Sequence, residues 1–290
     1  MDSKTTYFPL LTTLSTGGRV LDLSTPRIMG ILNVTPDSFY DGGRHHRLDA
    51  AVFHANSMLQ DGADIIDIGG MSSRPGATII SPQEEMDRIL PVIIQLKREF
   101  PQAILSIDTL HGSTALEAIR CGADIINDIS GGTYDASMAD IIATHQLPMV
   151  VMHMQGEPGT MQHNPQYNDV VEEVLQFFRE RIQTLMQQGI RQLIVDPGFG
   201  FGKALHHNYL LGAHLDRFRA LGMPLMAGIS RKSMVTKVIG TRPENALNGS
   251  TAMHMYLLVK GVQILRVHDV REAWETIRIY REFAMAAADA

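Results

Sequence analysis

The stretch "GILNVTPDSF" (residues 30–39) runs apolar as far as Asn33 and then breaks into Thr35-Pro36-Asp37-Ser38. Pro, Asp and Ser favour turns, so a greasy segment ends on an amide at the lip of a loop. The same grammar recurs along the chain. Short runs rich in Ile, Val, Leu and Met occur at "RIMGILN" (27–33), "ADIIDIGG" (63–70), "AILSID" (103–108) and "ADIINDI" (123–129). They return at "PMVVMH" (148–153), "QLIVDPG" (192–198), "PLMAGIS" (224–230) and "VQILRVHD" (262–269). Nearly continuous apolar character suits strands buried on both faces of a parallel sheet.

Helical patterns separate these runs. Val52, Ala55, Met58 and Leu59 form one stripe, with Gly62 placed to end it. Val171, Val174, Phe178, Ile182 and Leu185 form another, ended by Gly189. Met86, Ile89, Ile93 and Leu96 form a third, in which Pro91 predicts a kink or a late start. Eight strand–helix units within about 250 residues match an α/β fold of the (β/α)8 barrel type, with the active site at the C-terminal ends of the strands. An open doubly wound sheet is the rival. No dinucleotide glycine fingerprint follows the first run, and "GFGFGK" (198–203) has neither that spacing nor the first glycine of a P-loop. No linker, repeat or low-complexity tract divides the chain, so residues 1–290 read as one barrel domain, with about 1–20 as an N-terminal extension.

The bulk properties fit that class. The chain has 290 residues, 44% of them hydrophobic and 19% charged, with a formal net charge of −6. Basic clusters are short, so no nucleic-acid footprint is expected. The lone Cys121 excludes an intrachain disulfide and a Cys-rich metal site, and is expected to be a small helix residue against the core. The N-terminal stretch does not read as a signal peptide, and no apolar run approaches a membrane span. The expectation is a cytoplasmic protein without a membrane partner. The pairs His45-His46 and His206-His207 lack zinc-motif spacing and read as solvated loop residues.

In such a barrel the strand ends line the mouth. Here they carry Asn33, Asp67, Asp108, Asn127, His153, Asp196, Ser230 with Lys232, and Arg266 with His268. Any one could simply cap a turn. Eight polar endings mixing carboxylates, amides and cations point to a site. Asp108, Asp196 and Asn127 suit a flat heterocycle with a guanidine-like N–H edge, which a carboxylate grips in bidentate fashion. Lys232 could reach a ring carbonyl or nitrogen, or could form a structural salt bridge with an aspartate. Arg74, after "GGMSS", and Arg266 with His268 suit phosphate or diphosphate. Asn33 could then ligate a hard cation such as Mg²⁺ that bridges the phosphates.

The motifs "MGILNVTPDSF", "DIGGMSSRPGA", "SIDT", "GADIINDI", "MVVMHMQG", "DPGFGFGK", "GISRKSM" and "RVHDV" occur in one order over nearly the whole length. Together they resemble the dihydropteroate synthase family of pterin-binding barrels. The resemblance implies condensation of 6-hydroxymethyl-7,8-dihydropterin diphosphate with 4-aminobenzoate, in folate biosynthesis. It implies that Asp108, Asn127, Asp196 and Lys232 hold the pterin, and that Ser73, Arg74, Arg266 and His268 hold the diphosphate. By the same resemblance Asn33 takes Mg²⁺, and Pro75 and Phe201 flank the aniline ring. Ser233 receives the benzoate carboxylate through its backbone N–H. Asp108, Lys232 and Arg266 become the catalytic residues of a transferase, and a homodimer is implied, with "STAMHMYLLV" (250–259) as a candidate surface.

The chain departs from the family pattern at Met71 and Ser73, where many members have Glu and Thr, and at Leu110-His111, where some have Ser-Lys. These changes touch loops and affinity, and remove no pterin or diphosphate residue. Two alternatives share the barrel. A pterin-dependent methyltransferase would not need the Arg74–Arg266–His268 cluster, and a silent pterin-binding protein would not need Asn33, Arg74, Lys232 and Arg266.

Overall fold

The computed structural model describes residues 11–35, 44–72, 76–156, 159–161 and 164–288. Its order is β1 (Thr13–Thr16), β2 (Arg19–Asp22), β3 (Arg27–Asn33), α1 (Arg44–Gln60), β4 (Ile65–Gly69), α2 (Pro82–Glu99), β5 (Ile104–Asp108) and α3 (Gly112–Arg120). It continues with β6 (Ile125–Asp128), α4 (Ser137–His145), β7 (Met149–Met152), α5 (Val170–Gln187), β8 (Leu193–Asp196) and α6 (Leu205–Ala213). The last elements are β9 (Met226–Ala227), α7 (Ser233–Ile239), α8 (Leu247–Val259), β10 (Ile264–Val267) and α9 (Val270–Ala288).

Strands β3 to β10 are the eight apolar runs, and they pair in parallel in the order β8-β7-β6-β5-β4-β3-β10-β9. The two edges meet through a parallel bridge between Val195 and Leu225, where Val195 N–H donates to Pro224 O at 2.9 Å. The eight strands therefore close into a barrel. The run at 224–230 contributes only two residues as strand, so this seam is the thinnest part of the wall.

Side chains on a strand alternate between its faces. Ile28, Leu32, Ile66, Ile68, Leu105, Ile107, Ile126, Val151, Val195 and Leu265 point outward and join the helices in the main core. Met29, Ile65, Ile125, Val150, Ile194, Met226 and Ile264 point inward at the base of the barrel. Two residues beyond an inward residue the side chain points inward again. That period carries Asp67, Asn127, Asp196 and Arg266 to the inside, directly above Ile65, Ile125, Ile194 and Ile264.

The base is shut by the hairpin β1–β2, which lies within the stretch read as an N-terminal extension. Leu14, Leu21 and Leu23 are buried against the inward isoleucines and Met29. Gly17 and Gly18 form its two-residue turn, with φ of +54° and +82°, the left-handed pair that matches strand twist. The hairpin is a plug for the barrel.

Helix α2 does not start late. It starts at Pro82, capped by Ser81 Oγ accepting from Glu84 N–H at 3.2 Å, and runs unbroken through Pro91 to Glu99. Pro91 and Asp87 are both exposed, so the carbonyl that loses its N–H partner lies on the solvent side, where water can replace it. The stripe of α5 is buried as its period requires, and Cys121 packs partly buried against the core at the end of α3. Residues His206 and His207 are in α6 and not in a loop. His207 is 7% exposed, its ring edge-on to Tyr167 at 4.9 Å. The side chains of His45 and His46 lie outside the described residues. Among the described residues no helix is long and apolar enough to cross a membrane.

Candidate active site

At the C-terminal mouth the inward polar residues meet in one network. Arg266 Nε donates to Asp67 Oδ2 at 2.7 Å, and its Nη2 donates to Asp108 Oδ2 at 2.8 Å. Asn127 Nδ2 donates to the same Asp67 oxygen at 3.1 Å. One cation thus ties β4, β5 and β10, and the amide adds β6. Asp67 is fully buried and its other oxygen has no partner among the described residues. Arg266 stands closer to these carboxylates than the reading of it as a diphosphate holder required. Two of its nitrogens are already engaged inside the barrel.

Burial pushes the Asp108 carboxyl up to about 7, with Arg266 opposing and the carboxylates of Asp67, Glu85 and Asp128 reinforcing the rise. Asp196 is also raised by burial, while Lys232 and the Gly198 N–H, which donates to Asp196 Oδ1 at 2.8 Å, pull the other way. Burial lowers Lys232 to about 8, with Asp196 favouring its charge. Asp108 and Lys232 are therefore displaced toward neutrality from opposite sides. Groups so tuned are ready to change partner when a polar ligand displaces water.

Lys232 makes no ion pair within 4 Å among the described residues. Its Nζ donates to Phe199 O at 2.7 Å and lies 4.6 Å from the centroid of the Phe201 ring. The salt-bridge alternative for this lysine is thereby replaced by a carbonyl and a cation–π contact. Phe201 itself is 7% exposed and belongs to an apolar cluster with Met71, Leu110, Ile129, Met152 and Met161. Met71 and Leu110, two of the departures from the family pattern, thus belong to the same apolar cluster as this ring.

Asn33 and Asp108 converge across β4. A Cβ on Gly69 would fall 3.8 Å from both Asn33 Oδ1 and Asp108 Oδ2, so glycine keeps the space between these oxygens open. Ser230 Oγ lies 3.3 Å from both the main-chain N–H and the Nδ1 of His268, which stands exposed at the rim. Arg231, in the left-handed region at φ +58°, is held by both oxygens of Asp269, with Nε at 3.0 Å. Lys232 follows it directly, and Ser233 opens α7 with an exposed side chain. Ser73, Arg74 and Pro75 lie outside the described residues.

Two members of the mouth were not legible as site residues. Asp67 was visible only as one polar strand ending among eight, and its role as the anchor of Arg266 needs the spatial pairing. Lys203 closes "GFGFGK" and is only 2% exposed. Its Nζ lies 2.9 Å from His153 Nδ1, which turns His153 away from a ligand role and into the wall. Burial lowers Lys203 to about 7, with Asp196 favouring its charge; in its ammonium form it only donates, so Nδ1 then accepts and the His153 proton sits on Nε2. Burial, helped by Lys203, holds His153 down to about 2.

Known proteins share this architecture and these motifs. A profile of the family described as pterin binding enzyme matches residues 29–268. The dihydropteroate synthase of Escherichia coli K12 is 46% identical over 264 residues, covering 90% of this chain and 93% of its own. A structure of the Yersinia pestis dihydropteroate synthase with a sulfonamide drug complex superposes with a TM-score of 0.89 at 45% identity, covering 94% of this chain and 99% of that one. The Xanthomonas albilineans dihydropteroate synthase in complex with 7,8-dihydropteroate superposes with a TM-score of 0.85 at 39% identity, covering 94% and 98%. The chain belongs to the dihydropteroate synthases, within the pterin-binding enzyme family.

Proposed function

We propose that the chain condenses 6-hydroxymethyl-7,8-dihydropterin diphosphate with 4-aminobenzoate to give 7,8-dihydropteroate and diphosphate. The observation that carries this reading is the ring of buried Asp108, Asn127 and Asp196 around the barrel axis, with Lys232 and Arg266 beside it. Carboxylates and an amide there match the alternating donors and acceptors of a pterin edge. Lys232 exchanges its Phe199 carbonyl for a pterin ring atom.

In the reaction the aniline nitrogen forms a C–N bond to the pterin methylene while the C–O bond to diphosphate breaks. The nitrogen then loses a proton. Asp108, ionised, faces the positive charge that develops on the pterin as the leaving group departs. Ser73, Arg74, Arg266 and His268 hold the departing diphosphate. Pro75 and Phe201 flank the aniline ring, and the backbone N–H of Ser233 receives its carboxylate.

Among the described residues no cluster of three His, Cys, Asp or Glu side chains could hold a metal by itself. The donor set fits Mg²⁺ differently. Asn33 offers a hard amide oxygen at the open space over Gly69, and a diphosphate would complete the shell, as Mg²⁺ commonly prefers. When bound, the ion neutralises charge on the leaving group.

Assembly as a homodimer is supported by one flank of the barrel. Val238 and Ile239 of α7, Tyr256 and Val259 of α8, and Ile279 and Phe283 of α9 are all exposed, and α8 packs against both α7 and α9. Exposed apolar side chains on adjoining helices are the kind of surface a partner covers. A cytoplasmic location fits the single cysteine.

A diphosphate-release assay with and without 4-aminobenzoate tests the function. Release that depends on 4-aminobenzoate, with a product of dihydropteroate mass, supports it. Pterin diphosphate consumed at the same rate without 4-aminobenzoate, or not at all, overturns it.

A further inference from the structure

Lys203 lies at the crossing of two loops, the β8–α6 connection and the chain leaving β7. Its Nζ has four acceptors: His153 Nδ1 at 2.9 Å, Gly198 O at 3.0 Å, Phe201 O at 3.1 Å and His153 O at 3.3 Å. The partners are three main-chain carbonyls and an imidazole nitrogen, not a carboxylate. Four acceptors around one point require a group with several donors and no acceptor, and an ammonium meets that need.

The loops it joins interlock. A Cβ on Gly198 would fall 2.0 Å from His153 O, and one on Gly202 would fall 2.3 Å from Gln155 O, so only glycine lets the two chains touch. Phe201 N–H donates to Gly198 O at 3.1 Å, curling the segment into a turn, while Asn208 Oδ1 accepts from Gly200 N–H at 2.7 Å. Tyr167 Oη donates to Gly202 O at 2.8 Å. The turn begins at Asp196, whose Oδ1 accepts from Gly198 N–H, and ends at the Phe201 ring. Asp196 and Phe201 are thus the two ends of a short rigid arc with Lys203 at its centre.

We propose that Lys203 is a positioning residue for the second substrate: by holding the Gly198 and Phe201 carbonyls against His153, it fixes the Phe201 ring relative to Asp196. The inference rests on the proposed function, in which Asp196 grips the pterin and Phe201 flanks the aniline. Lys203 touches neither substrate. It acts through the main chain, setting how far the nucleophilic nitrogen stands from the pterin methylene. Methionine in its place keeps the length but leaves the Phe201 and His153 carbonyls without the ammonium, and the Gly198 carbonyl with the Phe201 N–H alone, in a buried crossing. The arc then relaxes, and displacements of about 1 Å can cost on the order of a hundredfold in reactive alignment.

The test uses the full chain as K203M, K203Q, F201A and the F201A/K203M double variant. Steady-state constants are measured for both substrates, with pterin affinity from calorimetry. K203M should raise KM for 4-aminobenzoate about tenfold and shift pterin Kd less than about twofold, because only the Phe201 end of the arc is released. That increment should vanish in the F201A background, since both changes remove one wall. An equal loss for both substrates, or the same increment with and without Phe201, overturns the proposal. F201A with an unaltered KM for 4-aminobenzoate overturns the placing of Phe201 instead, which the K203M ratio alone would not reveal. If K203M does not fold, K203Q, which retains two N–H donors, is judged by the same ratio. Failure of both to fold overturns the proposal, because the lysine then holds the barrel and not the wall.

Discussion

Arg266 Nη2 lies 2.8 Å from Asp108 Oδ2, and the same guanidinium reaches Asp67 through Nε at 2.7 Å. One guanidinium is therefore shared between a carboxylate that faces the mouth and one sealed beneath it. Asp67 sets where Arg266 can stand, and Arg266 decides how much negative charge Asp108 presents.

Removing the sealed carboxylate should expose that dependence. Asp67→Ala is expected to destabilise the fold by about 3–5 kcal/mol, the usual cost of leaving one partner of a buried pair alone. Asp67→Asn retains an acceptor for Asn127 and Arg266 and should cost less. Urea unfolding of the two variants checks the order. Equal stability of Asp67→Ala and the parent chain would show that the pair does not hold the network.

The same pairing predicts a pH profile. Asp108 has a pKa of about 7 against an ordinary 3.8, set first by burial. A carboxyl raised in the folded state binds protons there that the unfolded chain releases, so its contribution to stability declines as pH rises from about 4 to 7. Activity should run the other way, because only the ionised form faces the developing cation. kcat/KM for pterin diphosphate should rise through pH 7 and fall above pH 8 as Lys232, lowered to about 8, loses its proton. The limbs belong to the coupled group as a whole. Asp108→Asn should lower the rate and erase the acid limb. A parent profile flat from pH 6 to 9 would refute the assignment.

The floor of the barrel should behave differently from its mouth. Leu14 is fully buried under the inward isoleucines. Leu14→Ala should cost about 2–5 kcal/mol of stability, the range for emptying a leucine site. Since the plug lies at the end opposite the catalytic face, kcat and both KM values should stay within about twofold of the parent below the melting range. A selective loss of substrate affinity would mean that the floor tunes the site.

Much of this was legible from residue pattern. Eight apolar runs with polar endings give the barrel, and strict alternation places Asp67, Asn127, Asp196 and Arg266 on one face without any knowledge of the fold's closure. What escaped has physical causes. The plug was missed because "TLSTGGRVLD" is short and only half apolar, although its Gly-Gly turn was a usable hairpin signal. Helix α2 was given a kink or a late start because one sequence does not tell which face of the helix meets water; it starts at Pro82. His153 was read as a ligand-facing strand end, yet Lys203, 50 residues away, takes its Nδ1. Long-range partners of that kind have no periodicity to betray them.

The Asn33 reading makes a metal prediction. Chelator-treated enzyme should lose activity and regain it with Mg²⁺. Asn33→Ala should raise the Mg²⁺ concentration needed for half-maximal rate by about tenfold, the loss of one charge-assisted contact of roughly 1.4 kcal/mol. Binding of 4-aminobenzoate should be untouched by this variant when the pterin site is empty. An undiminished rate in chelator would remove the ion from the mechanism.

In the proposed sites Lys232 serves both substrates, and that should make their binding mutual. With the mouth as described, Lys232 Nζ donates to Phe199 O and lies over Phe201, 4.6 Å from its centroid. A pterin that draws Lys232 toward its ring takes the ammonium off the face of the proposed aniline wall. Phe201 then presents an unoccupied ring. Affinity for 4-aminobenzoate should consequently be weak in the empty enzyme and stronger once pterin and diphosphate are bound with Mg²⁺. Linkage requires 4-aminobenzoate to strengthen pterin binding by the same factor. Lys232→Met should shrink that factor while lowering pterin affinity itself, because the shared group is gone. Calorimetry with each ligand alone and then with the other saturating gives both legs of the cycle. Equal affinity for 4-aminobenzoate in the presence and absence of the pterin ligands would show that Lys232 and Phe201 meet without coupling the sites.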